Sequence, residues 1–336
     1  MKFLINFLVS FIGFFFGKAD SQRGSFEITT AFVEGYRSNI MMLSQQMGSR
    51  LRNNMRNESQ NSKAEFFERI GVVDAQEILD RHGDTPIMNT PHSRRMVTLR
   101  DAEYADLIDK MDRVRLLINP DDAYVRAAVA SLHRFSDDRI IEAALGDARG
   151  GEDGSVSVPL PNSQKIACFD GTTTTGVNLN VKTLIAVSAK FDENEVDEME
   201  QRYFVWGNKQ KASLLNEDKA TSSDYAAIKA LVRGEIDTYM GFKFIRSERL
   251  PRAAADVTYT VTDGTVGAGT GTITAAVSRR CFAYSHEGML FSTGQDVFAR
   301  ISERDDKRYS TQVYVAESVG ATRMEEVKVV EVICSE

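Results

Sequence analysis

The chain has 336 residues, 42% of them apolar and 26% charged, with a formal net charge of −7. That length allows about two domains. The composition excludes collagen-like, wholly disordered and multi-span membrane chains. The acidic balance excludes a chain that binds nucleic acid electrostatically as a whole. Cys168, Cys281 and Cys334 are odd in number and far apart, so the sequence carries neither a disulfide framework nor a metal-ligand spacing, and a reducing compartment fits.

In chain order, Met1-Lys2 precedes an apolar run over 3–16, and Gly17 and Ala19 sit at the −3 and −1 positions of a possible cleavage site before Asp20. This matches a secretory signal peptide and is short for a membrane span. A buried N-terminal arm and a start assigned too far upstream are the other readings. Over 36–57 the spacing predicts a helix, because Leu43, Met47, Leu51 and Met55 recur every four residues. Arg50, Arg52 and Arg56 cluster towards its end. They read either as a solvated helix edge or as a basic arm near nucleic acid.

Residues 66–78 are strand-like, 80–95 are polar and turn-rich, and 96–99 resume strand character. Together they predict an extended hairpin, which is too thin to bury itself and needs a partner surface. Asn119-Pro120-Asp121-Asp122 then starts a helix expected to run to Gly146, about 39 Å long, with Val125, Val129, Leu132, Ile140 and Ala144 on its apolar side. Residues 146–163 and 168–180 read as loops. A short helix over 181–190, a buried strand over 203–206, a helix capped by Ser222 or Ser223 and a strand over 240–245 suggest an α/β unit. Residues 256–277 form a Gly-centred β region. Strands follow at 281–284, 296–301, 311–316 and 328–332, with a charged hairpin tip at 303–308.

The familiar catalytic patterns are missing. Residues 13–18 have the wrong spacing for a phosphate loop, and Gly267, Gly269 and Gly271 do not form a dinucleotide fingerprint. His286-Glu287 lacks a second histidine four residues on, and no Gly-x-Ser-x-Gly elbow occurs. His82 and His92 read as solvated turn residues and His133 as a packed helix residue. The acidic residues between Asp192 and Glu200 read as a solvated face rather than a cation cage. Trp206 reads as core. No catalytic residue, cofactor or metal site is expected. An arm, a projecting hairpin and a long spine instead describe a protein whose neighbours cover it.

Several strings then occur in a telling order: Phe32-Val-Glu-Gly-Tyr-Arg-Ser-Asn-Ile40, Gly48-Ser-Arg-Leu51, Arg81-His-Gly-Asp-Thr-Pro86, Asn89-Thr-Pro-His92, Gly151-Glu-Asp-Gly154, Arg202-Tyr-Phe-Val205 and Gly320-Ala-Thr-Arg323. Over residues 26–336 the chain resembles the major capsid proteins of tailed bacteriophages with the HK97-like fold. The resemblance implies an α+β chain laid out as an apolar leader or misassigned start (1–25), an N-terminal arm (26–60) and an extended loop (61–115). A peripheral domain with the spine helix (116–180), an axial domain (181–275) and a returning peripheral sheet (276–336) follow.

It also implies a non-enzymatic shell subunit that forms hexamers and pentamers around double-stranded DNA. Its partners would be copies of itself, a scaffolding protein, a portal and a maturation protease, with no membrane. It would assemble in the host cytoplasm and end in the virion. Arg94 and Arg95 are expected to pair with acids of a neighbouring subunit. Asp305, Asp306 and Lys307 are expected near a threefold contact, and Arg50, Arg52 and Arg56 near packaged DNA. Some relatives cross-link through a loop lysine, but residues 80–100 contain none, so no such bond is expected. A nanocompartment shell of the same fold and a secreted or surface binding protein are the rival readings.

Overall fold

Residues Asp121–Leu145 form the predicted spine helix, α1. The computed structural model describes residues 45–77, 87–109, 121–168, 177–216, 238–252, 258–261, 271–274 and 278–336. The leader, most of the N-terminal arm, His82, the Asn119-Pro120 cap, the helix expected after Ser223 and the centre of the Gly-rich stretch lie outside them.

The spine joins two apolar cores. Its first half packs Ala128 and Leu132, with the partly buried Val125 and Val129, on Ile108, Val313 and Val315. Its second half places Ile140, Ile141, Ala144 and Leu145 in the main core. Both sets recur at three- and four-residue spacing, as one helix face requires. Each fully buried branched side chain contributes roughly 2 kcal/mol.

The first core lies under a long sheet. β1 (Arg56–Ser59), β14 (Met289–Arg304), β15 (Ser310–Arg323) and β4 (Arg100–Ile108) lie side by side in that order. β1 runs parallel to β14 and ends where β14 bulges, between Thr293 and Phe298. Opposite the bulge, Glu317 is buried under α1 and accepts a 2.6 Å hydrogen bond from Ser136. Burial pushes its carboxyl up, and the serine bond partly offsets this.

The main core surrounds a six-stranded mixed sheet. Its order is β7 (Lys165–Ala167), β16 (Val329–Ser335), β13 (Ser278–Ser285), β8 (Arg202–Trp206), β10 (Phe242–Arg246) and β9 (Thr238–Tyr239). β8 is buried along its whole length, Trp206 included. A strand covered on both faces reads as a continuous apolar run, which is why it was legible. α2 (Val181–Glu193) covers this sheet with Leu184, Val187 and Phe191, and its cap is the Asn180 side chain accepting from the Thr183 amide at 2.8 Å. α3 (Asn208–Asn216) follows β8 directly and was not expected. β11 (Thr258–Val261) and β12 (Gly271–Thr274) pair as a separate hairpin.

The projecting element is the hairpin of β2 (Ala64–Ile70) and β3 (His92–Thr98), paired from Ala64↔Thr98 to Ile70↔His92. Its root docks on a shorter hairpin, β5 (Ala148–Gly150) and β6 (Val156–Val158). That hairpin corrects the expectation of a plain loop over 146–163. Its turn uses Gly151 and Gly154 at φ of 86° and 70°, and a Cβ on Gly154 would collide with Met96 of β3. After Leu99 the chain leaves the hairpin, because β4 pairs with β15 in the long sheet.

The helix expected over 36–57 needs a second correction. Among the described residues, 45–57 hold a 3-10 turn at Arg52–Asn54 and the start of β1, with no α-helix. Leu51 and Met55 are buried, as their spacing indicated, but the amides of Arg50 and Leu51 bond to Asp137 of α1 instead of to carbonyls four residues back. Asn54 and Asn57 side chains satisfy the Arg50, Arg52 and Met55 carbonyls. Side chains that bond the nearby backbone compete with helix formation, and here they win.

Candidate assembly interface

The hairpin root is held by charge. Arg69 on β2 and Arg95 on β3 meet Glu326, just past β15, which also faces Arg323. Arg95 is 2% exposed and Arg323 fully buried. Arg95 hydrogen-bonds the Glu326 carboxylate through Nη2 and reaches the Met324 carbonyl oxygen at 3.4 Å, while Arg69 donates to that same oxygen. Desolvation lowers the pKa of both Arg95 and Arg323, and Glu326 opposes the shift.

Arg323 also closes the spine. It donates to the carbonyl oxygens of Ala144 at 3.1 Å, Gly146 at 2.8 Å and Val158 at 2.9 Å, and Arg280 donates to Leu145 at 3.1 Å. The last turn of α1 carries no basic residue. Its orphan carbonyls, the negative end of the helix dipole, are therefore capped by arginines from β15 and β13.

The arm enters through Asp137. This buried carboxylate accepts from Gln46 Nε2, from Ser49 Oγ at 2.6 Å and from the amides of Arg50 and Leu51 at 3.2 and 3.3 Å. Arg134, one turn earlier on α1, holds the Gln46 carbonyl at 3.1 Å. At the far end of the long sheet, Asp305–Lys307 form an exposed 3-10 turn, and Arg308 and Tyr309 follow with φ of 54° and 60°. Arg304 grips Asp306 with two 2.8 Å bonds.

A sequence profile described as phage capsid protein matches residues 28–336. The chain belongs to the phage capsid protein family. No curated protein sequence matches this capsid protein. Among solved structures it is similar to the capsid of cyanophage P-SCSP1u, with 14% identity, 92% of this chain and 94% of that one covered, and a TM-score of 0.66. The capsid of Ralstonia phage GP4 matches at 10% identity over 94% and 98% of the chains, with a TM-score of 0.64. That of Helicobacter pylori bacteriophage KHP30 matches at 11% over 95% and 100%, with a TM-score of 0.60. The fold is thus that of HK97-like capsid proteins, and the chain is a major capsid protein of a tailed phage and a virion component.

The capsid protein's predicted contact residues fall into different classes. Arg95 is corrected: it is buried against Glu326 of its own chain and has no surface to offer a neighbour. Arg94 points the other way, two-fifths exposed, 3.4 Å from Glu68 and over the Phe66 ring. Period-two alternation places adjacent strand residues on opposite faces, so the pair never acts together. Arg52 pairs with Asp296 at 3.0 Å, and Arg56 with Glu58 at 2.9 Å. The Arg50 guanidinium donates to the Arg246 carbonyl at 2.6 Å and forms no ion pair among the described residues. Asp305, Asp306 and Lys307 are exposed at the tip, as a contact would need.

Sequence reasoning missed Asp137, Arg323 and Glu326. Asp137 had a signal: it stands three and four residues before Ile140 and Ile141, an acid on the stripe of a buried face.

The tip offers a pH test. The Arg304 hydrogen bonds hold the Asp306 carboxyl down to about 2, from an ordinary 3.8. A carboxylate depressed in the folded state adds stability above its unfolded pKa and loses it as pH falls through the folded one. The Asp306 carboxyl should therefore titrate near pH 2 by NMR of the free subunit. Arg304→Ala should return it towards 3.8 with little change in global stability, since the pair is exposed. An unchanged titration in the variant would remove Arg304 as the cause.

Proposed function

We propose that the protein assembles, without enzymatic activity of its own, into hexamers and pentamers of an icosahedral shell around double-stranded DNA. The β2–β3 hairpin, as the extended loop, lies over the adjacent copy, the Asp305–Lys307 tip meets its equivalents near a threefold axis, and the axial segment surrounds the capsomer centre. Scaffolding protein, portal and maturation protease of the same phage are its partners, and assembly takes place in the host cytoplasm. Of the three arm arginines, Arg50, whose guanidinium forms no ion pair among the described residues, is the one this reading keeps near DNA.

The observation that carries it is the apolar exposure of the projecting hairpin. Val72 is 91% exposed, Ile87 93% and Ile70 70%, on an element that buries little of itself. Soluble proteins do not expose such a run without a covering surface. The double variant Val72→Asp, Ile87→Asp is expected to express as a folded subunit with an unchanged unfolding midpoint. With scaffold supplied, electron microscopy should show no closed shells. Shells formed at the parental yield would refute the overlapping hairpin. Arg94→Ala should lower shell yield more mildly, because an exposed pair contributes only about 0–1 kcal/mol.

A further inference from the structure

The three cysteines that look unrelated in sequence converge in the main core. Cys168 stands at the end of β7 and Cys334 in β16, where the parallel register continues to make them neighbours, with the Cys168 amide bonded to the Ile333 carbonyl at 3.0 Å. Their sulfurs are 3.3 Å apart. Cys281, on β13, pairs diagonally across β16 and also interacts with Cys334. All three are fully buried free thiols, and among the described residues no group of side chains is arranged to hold a metal ion.

We propose that Cys168 and Cys334 are a reversible oxidation site, forming an intramolecular disulfide that fastens the last strand of the chain to β7. Closing the bond needs the sulfurs to approach by a little over 1 Å, to about 2.05 Å. Adjacent strands allow this by side-chain rotation. Cys281 remains reduced, because it faces the pair diagonally. The co-reactant is a small-molecule disulfide. The Cys334 thiolate attacks one of its sulfurs and expels a small thiolate. The Cys168 thiolate then attacks the Cys334 sulfur of the mixed disulfide and expels the second. Two electrons pass to the oxidant, and the two protein-thiol protons end on the two small thiols.

Burial pushes the Cys334 thiol well up, and both sulfurs are shielded from an oxidant while β16 is in place. Cys334 lies next to the last residue of that strand, and local opening there exposes it. The rate should therefore stop rising with oxidant concentration once opening limits it. The bond would close a loop of most of the axial and peripheral sequence, and such loops hinder unfolding strongly.

The test uses the full chain as free subunit and as shell, incubated with 2-hydroxyethyl disulfide, denatured under alkylation and mapped by peptide mass. Expected is loss of two of the three thiols, a Cys168–Cys334 linked peptide, a urea midpoint that rises on oxidation, and reversal by dithiothreitol. Cys281→Ser should form the same bond. Three alkylated thiols after prolonged incubation, in urea just below the unfolding transition as well as without it, would overturn the proposal. So would a linked peptide that contains Cys281 instead of Cys168.

Discussion

Replacing Asp137 with alanine is expected to cost the subunit about 3 kcal/mol and to free the segment Gln46–Leu51 from the spine helix. The carboxylate is buried and serves four donors from that segment. Charge-assisted bonds contribute about 1.5–3 kcal/mol each and are far from additive, while the stranded amides of Arg50 and Leu51 add a desolvation cost. Leu51 ends the segment, Met55 follows it, and both belong to the main core, so the loss spreads beyond the bonds themselves. Asp137→Asn keeps one good acceptor and should cost about half as much. Urea unfolding gives the magnitude. Limited proteolysis gives the location, with new cleavage between residues 45 and 51. An alanine variant with the parental midpoint and no new cleavage would mean that Asp137 does not anchor the arm. Because the anchor sets where the arm leaves the body, shells of the variant should also form poorly at temperatures where its core is intact.

Asp137 also marks the boundary of what sequence reasoning could reach. Elements whose apolar period reports their own burial were legible: α1, α2, β8 and, after Arg279, β13, β15 and β16 place buried side chains in the two cores, whereas the 296–301 stretch is largely exposed. The charged tip was legible because a hairpin turn is chemically local. The segment around Arg52 was misread, because the partner that unmakes its helix lies 87 residues away in sequence. The hairpin at 148–158 was missed because its glycines are punctuation for a turn that exists only against Met96. Arg94 and Arg95 were read as a pair because adjacency in sequence looks like adjacency in space. A β-strand separates them, and the long-range partners of Arg95 at Met324 and Glu326 are invisible to local patterning. The convergence of the cysteines is of the same kind, set by strand order rather than by spacing.

The second large effect belongs to Glu326. Substitution by alanine leaves Arg95 and Arg323, both buried, with no carboxylate between them. Removing one partner of a buried ion pair costs about 3–5 kcal/mol, because the remaining charge cannot return to water. Arg323 cannot swing out without uncapping the spine at Ala144 and Gly146, so the strain should fall on Arg95 and Arg69, the two hairpin residues. The hairpin root should therefore loosen while α1 stays folded, and hydrogen exchange should quicken in β2 and β3 before it does in α1.

A double-mutant cycle separates charge from shape. Arg95→Met alone removes one cation and keeps an apolar stem, and it should cost about 1–2 kcal/mol. Arg95→Met with Glu326→Met should be more stable than Glu326→Met alone, since one of the two stranded cations is then gone. If Glu326→Ala unfolds at the parental urea concentration, the three arginines do not depend on it and the hairpin is aimed by strand pairing with β5 alone. If instead the double variant recovers stability but not shell yield, the ion cluster sets the angle at which the hairpin meets the next subunit. That outcome is the one expected, because Met side chains fill the space of the pair without fixing its direction.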